Sequence, residues 1–388
     1  MTDLHARDSP ASRVVIAGGG IAAVETLLAL RATARGRDLD VTLVSASEQL
    51  EYRPLSVLDP FGPAPTRRYP LDRICAEHGA TLVRETVAAV DGEQRAVRLA
   101  NGETLPYDAL VVAVGARREP ALERVHTFFA EQDGDGTQWI VRELEQGLAR
   151  TVTFVVPEQS GWSLPLYELA LLTARHAESR GIGDLALTLV THEPQPLAIV
   201  DGEASTAVTR LLGRADVRIV AGRRVTGWDG RVVALDPPDE EGPLVADRVV
   251  ALPQLHGPAI GGLPVDARGF IEVDDHMRVP GLEHVYAVGD ATTFPVKQGG
   301  LASQQADLAA ALIARAAGPD ASRWAVLRSI LLTGARPLYI QALIEGDRPR
   351  ASSVSDTPPW SPPQKIAARY LAPYLEAWEE PKSSGGSR

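Results

Sequence analysis

The sequence predicts an α/β chain built around parallel sheets, in two similar halves followed by a short C-terminal segment. Short runs rich in β-branched residues alternate with long, apolar-striped helical stretches, the pattern of βαβ units. RVVIAGGGIAAVETLLALRA leads to DVTLVSA, and TVTFVVPEQSGWSLPLYELALLTARHA leads to LALTLVTHE. The chain also echoes itself. Residues 87 to 115, VAAVDGEQRAVRLANGETLPYDALVVAVG, and residues 225 to 253, VTGWDGRVVALDPPDEEGPLVADRVVALP, share the order strand, Asp-Gly turn, strand, polar break, strand. Such an echo at a fixed place in each half marks a duplicated unit.

Composition narrows the classes of function. The 388 residues suffice for two or three domains with real cores, and 45% hydrophobic with 23% charged residues is ordinary for a globular protein. A formal charge of −11 excludes a nucleic-acid partner and electrostatic attachment to an anionic membrane as first readings. Cys75 is the only cysteine, so no intrachain disulfide, structural or redox-active, can form. MTDLHARDSPASR carries no apolar signal segment and no run reaches the length of a spanning helix, so a cytoplasmic protein is expected. Lysine is scarce: only Lys297, Lys365 and Lys382 stand among 39 basic residues.

In the first half, Gly18, Gly20 and Ala23 form G-x-G-x-x-A where the strand Val14-Val15-Ile16-Ala17 gives way to a helix through Ile21 and Ala22. Glycine permits the tight turn and a close approach of a pyrophosphate, and Ala23 keeps the helix near the sheet. The free amides and the helix dipole then favour phosphate. The strand-helix-strand context turns a weak motif into a strong one. Where an acidic residue would end the second strand and hold ribose hydroxyls stands Ser45; Glu48 is the candidate substitute, or else a solvated loop charge.

Downstream, HVYAVGDATTFPVKQGGLASQQADLAAALIARAAG carries a strand into Gly289-Asp290 and, after a loop, a helix starting near Gly299. With GGGIAA and YDALVVAVG, this segment makes the chain resemble the flavoproteins with two dinucleotide-binding domains, the pyridine nucleotide-disulfide oxidoreductase family, over about residues 13 to 317. The resemblance implies FAD, bound non-covalently, with Asp290 on the ribityl chain and the helix at Gly299 aimed at the pyrimidine edge of the flavin. Lys297 would add a positive charge there. Ala113-Val114-Gly115 matches the family's A-T-G turn with valine in place of threonine. SASEQLEYRP, from Ser45 to Pro54, is similar to sulfide:quinone reductases and type II NADH dehydrogenases. That likeness implies Arg53 and Pro54 beside the flavin and the Val87 backbone beside the adenine. Sulfide:quinone reductases use paired cysteines, which this chain lacks, so sulfide chemistry by that route is not expected.

The second half departs from the first at its crossover. Gly18 precedes the helical Glu25 by seven residues, whereas Pro157 precedes Glu168 by eleven. Pro157 has no amide proton and Gln159 carries a side chain where close approach needs none, so the loop cannot repeat the pyrophosphate cradle, and Gly161 alone does not restore it. In the preferred reading the second domain no longer binds a nicotinamide in the ordinary way, and Trp162 and Pro165 shape a pocket for another substrate. Alternatively NAD(P)H binds in a displaced way, using the helix start near Leu164 and Glu193, or Trp162 simply packs. Glu168 is a candidate proton relay, with Glu25 at the matching place as a warning that repeat architecture alone explains it. His256 is read as structural rather than catalytic.

Beyond residue 317, ILLTGARPLYIQALIEGD reads as two strands around a turn, and DTPPWSPPQKIAARYLAPYLEAW as a proline-rich passage into a helix with Ile366, Tyr370, Leu371, Tyr374, Leu375 and Trp378 on one face. That helix is expected to cover the protein's own core or a homodimer interface, with an interfacial membrane anchor as the less favoured alternative. EEPKSSGGSR reads as a disordered tail.

The expected fold is therefore α/β, with two Rossmann-like, three-layer dinucleotide-binding domains, the second inserted in the first. Residues 1–120 and 258–317 form the FAD domain, 121–257 the second, NAD(P)-binding-like domain with its altered loop, and 318–388 the C-terminal segment. The expected function is FAD-dependent electron transfer from a small-molecule donor to an acceptor, with Lys297, Glu168 and Trp162 at the reacting side. NAD(P)H dehydrogenation toward a quinone or redox protein, and a non-catalytic flavin sensor, are the alternatives.

Overall fold

The structure is a computed structural model and describes residues 12–34, 38–62, 67–128, 138–200, 202–316, 324–345 and 348–379. The tail expected after the last helix lies outside the described residues.

Strands β1 (Ser12–Ala17), β2 (Leu39–Val44), β3 (Thr81–Val83) and β4 (Ala109–Val112) pair in parallel in the order β4-β1-β2-β3. A second parallel sheet uses β5 (Thr151–Val156), β6 (Ala186–Thr191), β7 (Val217–Ala221) and β8 (Arg248–Ala251) in the order β8-β5-β6-β7. The two orders are the same, strand for strand. In each sheet the fifth strand lies outside the last of the four: β9 (Val285–Ala287) beside β4, and His126–Thr127 beside β8.

Each sheet is sandwiched, which explains its unbroken apolar runs. Val14 and Ile16 face the helical layer while Val15 and Ala17 face an antiparallel meander, Val87–Asp91, Ala96–Leu99 and Thr104–Pro106. In the second sheet Val152, Phe154 and Val156 face helices, and Val155 faces the meander Arg224–Trp228, Val232–Asp236 and Leu244–Val245. Burying each such Val or Ile contributes about 1.5–3 kcal/mol. The echo in the sequence is thus the meander that closes the third layer of each sandwich together with the parallel strand that follows it, β4 or β8.

Helix α1 (Ile21–Thr33) follows β1 after three residues, and short α2 (Leu71–Glu77) follows a hairpin strand. Helix α3 (Gln138–Glu145) precedes β5. Helix α4 (Leu164–Arg180) follows β5 only after the seven residues 157–163, so the four-residue extension falls wholly in this turn. Helix α5 (Gly202–Arg214) precedes β7, and α6 (Gly299–Ile313) packs along α1. The segments crossing between the sandwiches pair with each other, Arg117–Glu119 antiparallel to Gln254–His256.

The C-terminal segment differs from the sequence reading in two respects. Its two strands β10 (Trp324–Leu331) and β11 (Leu338–Glu345) are joined by a third, β12 (Arg348–Ser355), because β11 has a free edge that the following chain pairs with. The helix α7 is also shorter, Leu371–Glu379, so Ile366 and Tyr370 lie in the strap that precedes it. Pro373 sits in the first turn, where a missing N–H costs nothing. Trp378 stands edge-on to Tyr69 at 5.7 Å, under the Arg73 guanidinium at 4.0 Å, and the Tyr374 hydroxyl donates to Glu77 at 2.6 Å. The aromatic face of α7 is therefore spent on the chain's own first sandwich. No helix among the described residues is long and apolar enough to cross a membrane.

Candidate active site

The ends of β1, β4 and β9 and the starts of α1, α4 and α6 open on one cavity of about 560 Å³. Its location follows the general rule for open parallel sheets, in which ligands lie beyond the C-terminal strand ends. Gly18, Gly20, Ile21, Ala22, Ser45, Val87, Ala113 and Gly115 line one reach of it. Arg53, Pro54, Gly289, Asp290, Lys297, Gly299, Trp162 and Glu168 line the other. Two expected residues stand outside the lining. Ala23 is fully buried in the core of the first sandwich, in keeping with the packing role read from the motif. Glu48 is turned to solvent and paired with Arg84 at 2.7 Å, an interaction that only the folding of Arg84 beside the β2 loop creates.

The glycine turn is built as its motif requires. Gly18 has φ +128°, and a Cβ there would stand 2.3 Å from the Ala113 carbonyl oxygen of the neighbouring strand end. Gly19, which the motif leaves unspecified, is equally constrained: its Cβ would meet Ser45 Oγ at 2.4 Å and Leu71 at 2.7 Å. Ser45 is buried and exchanges hydrogen bonds with Ser47, accepting from its amide and donating to its carbonyl at 3.1 Å.

On the other side, α6 begins at the wall. Gln298 caps it by accepting from the Leu301 amide at 2.9 Å, and Gln298, Gly299 and Ala302 face the cavity, so the positive end of the helix dipole points into it. Lys297 Nζ donates to the Thr292 carbonyl and lies 3.9 Å from the centre of the Phe270 ring. Burial lowers its pKa to about 8 against the pull of Asp290. The Asp290 carboxyl is itself raised by burial, opposed by the charges of Lys297 and Arg118.

The altered crossover closes over this lysine. Gly161 adopts φ +74°, its carbonyl accepts from the Lys297 amide at 3.1 Å, and a Cβ on it would stand 2.4 Å from Lys297 Cγ. Gln159, at φ +68°, accepts from the Leu255 amide at 3.1 Å. Gly161, which by the sequence does not restore a phosphate cradle, is the residue that lets the loop touch Lys297. Glu193, at the end of β6, is buried; its Oε2 accepts from the hydroxyls of Tyr167 and Thr191, the latter at 3.2 Å. Its proximity also raises the pKa of the Tyr167 phenol, after burial itself. His256 pairs with Glu119 at 3.4 Å and does not line the cavity.

Sequence reasoning missed Lys365. Its Nζ meets Glu168 Oε2 at 2.5 Å with the glutamate fully buried, and both residues line the cavity. Glu168 Oε1 accepts from the Leu332 amide at 2.8 Å. Burial raises the glutamic acid's pKa and lowers the lysine's, each opposed by the partner. The scarcity of lysine, which singles out Lys297, singles out Lys365 as well. Ser329, Arg118 and Glu51, the last holding Arg53 at 2.6 Å, are further wall residues without a sequence signal. Among the described residues no group of three or more His, Cys, Asp and Glu is arranged to hold a metal ion.

The family model described as "Pyridine nucleotide-disulphide oxidoreductase" matches residues 2–144 and 167–314, leaving out 145–166, which contain β5 and the altered crossover. Rhodocoxin reductase of Rhodococcus erythropolis is 26% identical over 308 residues, 73% of this chain and 65% of that protein. The alternative NAD(P)H-ubiquinone oxidoreductase C1 of Arabidopsis thaliana is 24% identical over 345 residues, 78% of this chain and again 65% of that protein. The chain thus spans just under two thirds of the length of either. Among solved structures, the sulfide:quinone oxidoreductase of Aquifex aeolicus superposes with a TM-score of 0.78 at 20% identity, covering 89% of this chain and 87% of that one, a likeness of fold. With matching segments over most of its length, two parallel sandwiches of one topology and the glycine turn at their shared cavity, the chain belongs to the pyridine nucleotide-disulphide oxidoreductase family.

Proposed function

We propose that the chain is an FAD-dependent oxidoreductase that holds FAD non-covalently in this cavity and passes electrons from a small-molecule donor to an acceptor, without ordinary NAD(P)H binding in the second sandwich. The observation that carries this reading is the continuity of one cavity from the Gly18–Gly20 turn to Asp290, Lys297 and the start of α6. The residues fit the group. A side-chain-free turn at a helix start suits a diphosphate, Ser45 and the Val87 backbone border the adenosine reach, and Asp290 offers a carboxylate to a polyol chain. Lys297 and the α6 dipole offer positive charge at the far end, with Arg53, Pro54, Ala113 and Gly115 as walls. When bound, the flavin supplies reversible uptake of electrons and protons.

The chain's own contribution is placement and proton handling. Lys297 and the α6 N-terminus stabilise negative charge in that reach. Glu168 Oε2 and Lys365 Nζ share a wall where burial draws their proton affinities together, so the pair can hold a proton on either atom and deliver it to a reacting group. Trp162, Leu164 and Pro165 shape the adjoining apolar side.

Against a conventional nicotinamide site stand the seven-residue crossover seated on Lys297 and the engagement of Glu193 by Tyr167 and Thr191. A second reading, an NAD(P)H dehydrogenase reducing a quinone or a redox protein, draws support from the names of the relatives. Anaerobic mixing separates the two. Purified protein is expected to be yellow, and its flavin band to bleach with a small reductant but not at a useful rate with NADH or NADPH. Rapid bleaching by a nicotinamide establishes the second reading; a colourless chain that cannot be reconstituted with FAD overturns both. Flavin that no candidate donor reduces indicates a sensor.

A further inference from the structure

Strand β10 carries a polar residue where its pattern calls for an apolar one. Side chains two residues apart share a face of a strand, and Ala325, Leu327 and Leu331 all pack against the core of the second sandwich. Ser329 falls on that same face, and Ile340, opposite it on β11, is fully buried in that core. Ser329 is itself only 2% exposed, yet its hydroxyl makes no hydrogen bond to any described residue. A buried hydroxyl left unpaired is destabilising, so such a position is ordinarily apolar. Ser329 differs from its neighbours on that face in one respect: it lines the cavity.

The strand is fixed on either side of this hydroxyl. The Gln304 side chain, on α6, exchanges two hydrogen bonds with the Val326 backbone at 2.8 and 2.9 Å, and Gln298 Nε2 donates to the Arg328 carbonyl at 3.1 Å. Beyond Ser329, the Leu332 amide donates to Glu168 Oε1 at 2.8 Å. Gln298 and Glu168 line the cavity as well, so Ser329 stands on a stretch of strand held from both of its sides by cavity residues. A hydroxyl anchored in this way is presented to a ligand at one fixed place.

The surroundings define the ligand. Trp162, Leu164, Pro165 and Ile366 supply apolar walls. The charges of this reach are matched, Lys365 by Glu168 at 2.5 Å and Arg53 by Glu51 at 2.6 Å, so a charged ligand would lose its water without gaining a counter-ion. A serine hydroxyl is one donor and two acceptor sites. Ser329 can therefore accept from the O–H of an alcohol and donate to the carbonyl of the matching ketone, a change of role that neither a backbone amide nor an ammonium allows.

We propose that Ser329 is the recognition hydroxyl of a substrate pocket in this reach, and that the pocket takes an uncharged, largely apolar alcohol or its carbonyl counterpart. Both oxidation levels of such a molecule are neutral and keep a hydrogen bond to Ser329, so the pocket holds substrate and product alike. The pocket deepens the oxidoreductase reading and rests on it in leaving the Gly18 reach and Lys297 to the cofactor.

Four probes on one ring system test this by equilibrium dialysis against the full-length protein: acetonaphthone, the alcohol it gives on reduction, ethylnaphthalene and naphthoate. The ketone and the alcohol are expected to bind, and naphthoate at least about tenfold more weakly. Ser329→Ala is expected to weaken the ketone and the alcohol about three- to tenfold and to leave ethylnaphthalene unchanged. The same variant should melt at the temperature of the unmodified protein or above it, because it removes a hydroxyl with no internal partner. A ketone and alcohol that bind Ser329→Ala as well as the unmodified protein, an equal loss for ethylnaphthalene, naphthoate binding tighter than the ketone, or a lowered melting temperature overturns the pocket. Flavin content, read from the absorbance of the same samples, tests the cofactor separately. Colourless protein that shows the Ser329-dependent preference keeps the pocket and loses the cofactor reading; yellow protein without that preference does the reverse.

Discussion

The Glu168 carboxylate and the Lys365 ammonium meet at 2.5 Å across 197 residues of chain, one on the first turns of α4 and the other on the C-terminal strap. Neither sandwich contains this pair by itself. A buried ion pair is weak evidence for net stability, because desolvating both charges costs about what their attraction returns, but breaking one leaves a bare charge inside. Lys365→Met is therefore expected to cost about 3–5 kcal/mol in equilibrium denaturation. The double change Glu168→Gln with Lys365→Met should recover most of that loss. If the single and double variants are equally unstable, the pair is not the reason.

Lys297 sets a pH signature of its own. Between about 8 and its ordinary value near 10.5 the unfolded chain carries a proton on this lysine that the folded chain has given up. Stability from this group therefore rises with pH through that window, having been depressed below it. Lys297→Met removes this contribution. Its melting temperature, followed from pH 8 to 10, should rise less or fall more than that of the unmodified protein, and parallel curves would refute the depressed lysine.

Gly161 and Gly181 share a left-handed backbone but differ in surroundings. At Gly181, the C-terminal cap of α4 with φ +65°, nothing lies within 4 Å of the position an added methyl would take, so Gly181→Ala should cost only the conformational penalty of about 1–2 kcal/mol. Gly161→Ala adds a collision with Lys297 at 2.4 Å, worth about 1–3 kcal/mol more. Thermal unfolding of the two variants side by side measures the difference, and equal losses would mean the crossover does not seat on Lys297 as described.

Tyr167 and Glu193 test whether the second sandwich has given up its ribose-facing acid. Removing the hydroxyl in Tyr167→Phe leaves the buried Glu193 carboxylate with fewer donors and is expected to cost about 1–3 kcal/mol. Neither residue lines the cavity, so the proposed binding of FAD should be unchanged. A neutral effect on stability would mean that Glu193 is free to turn outward.

Much of the first sandwich is legible from local pattern, because its strands, helix and glycine turn follow one another within a few residues. The G-x-G-x-x-A spacing leads to Gly18 and Gly20, and the seven-against-eleven spacing leads to the altered crossover. Gly19 carries no such signal, because the reason it must be glycine is Ser45, a residue from the next strand end. Glu48 draws attention by its place after β2, and its partner Arg84 arrives only when β3 is laid alongside. The third C-terminal strand is hidden in the sequence because RPRASSVS has little apolar alternation and is a strand chiefly through the edge it pairs with.

Glu25 and Glu168 mark where the two kinds of information divide. The sequence by itself determined the duplicated α/β halves, the short glycine turn in one and the longer, proline-bearing crossover in the other, and the absence of any cysteine pair. Those features depend on residues near one another in the chain, whose spacing and backbone freedom are local properties. Only the tertiary structure decided what the two matching glutamates do. A carboxylate on a helix is equally compatible with a relay, a cap or a solvated charge until its partners arrive. Here Lys365 and the amides of the strap come from up to 346 residues away, brought in by packing the C-terminal segment across both halves.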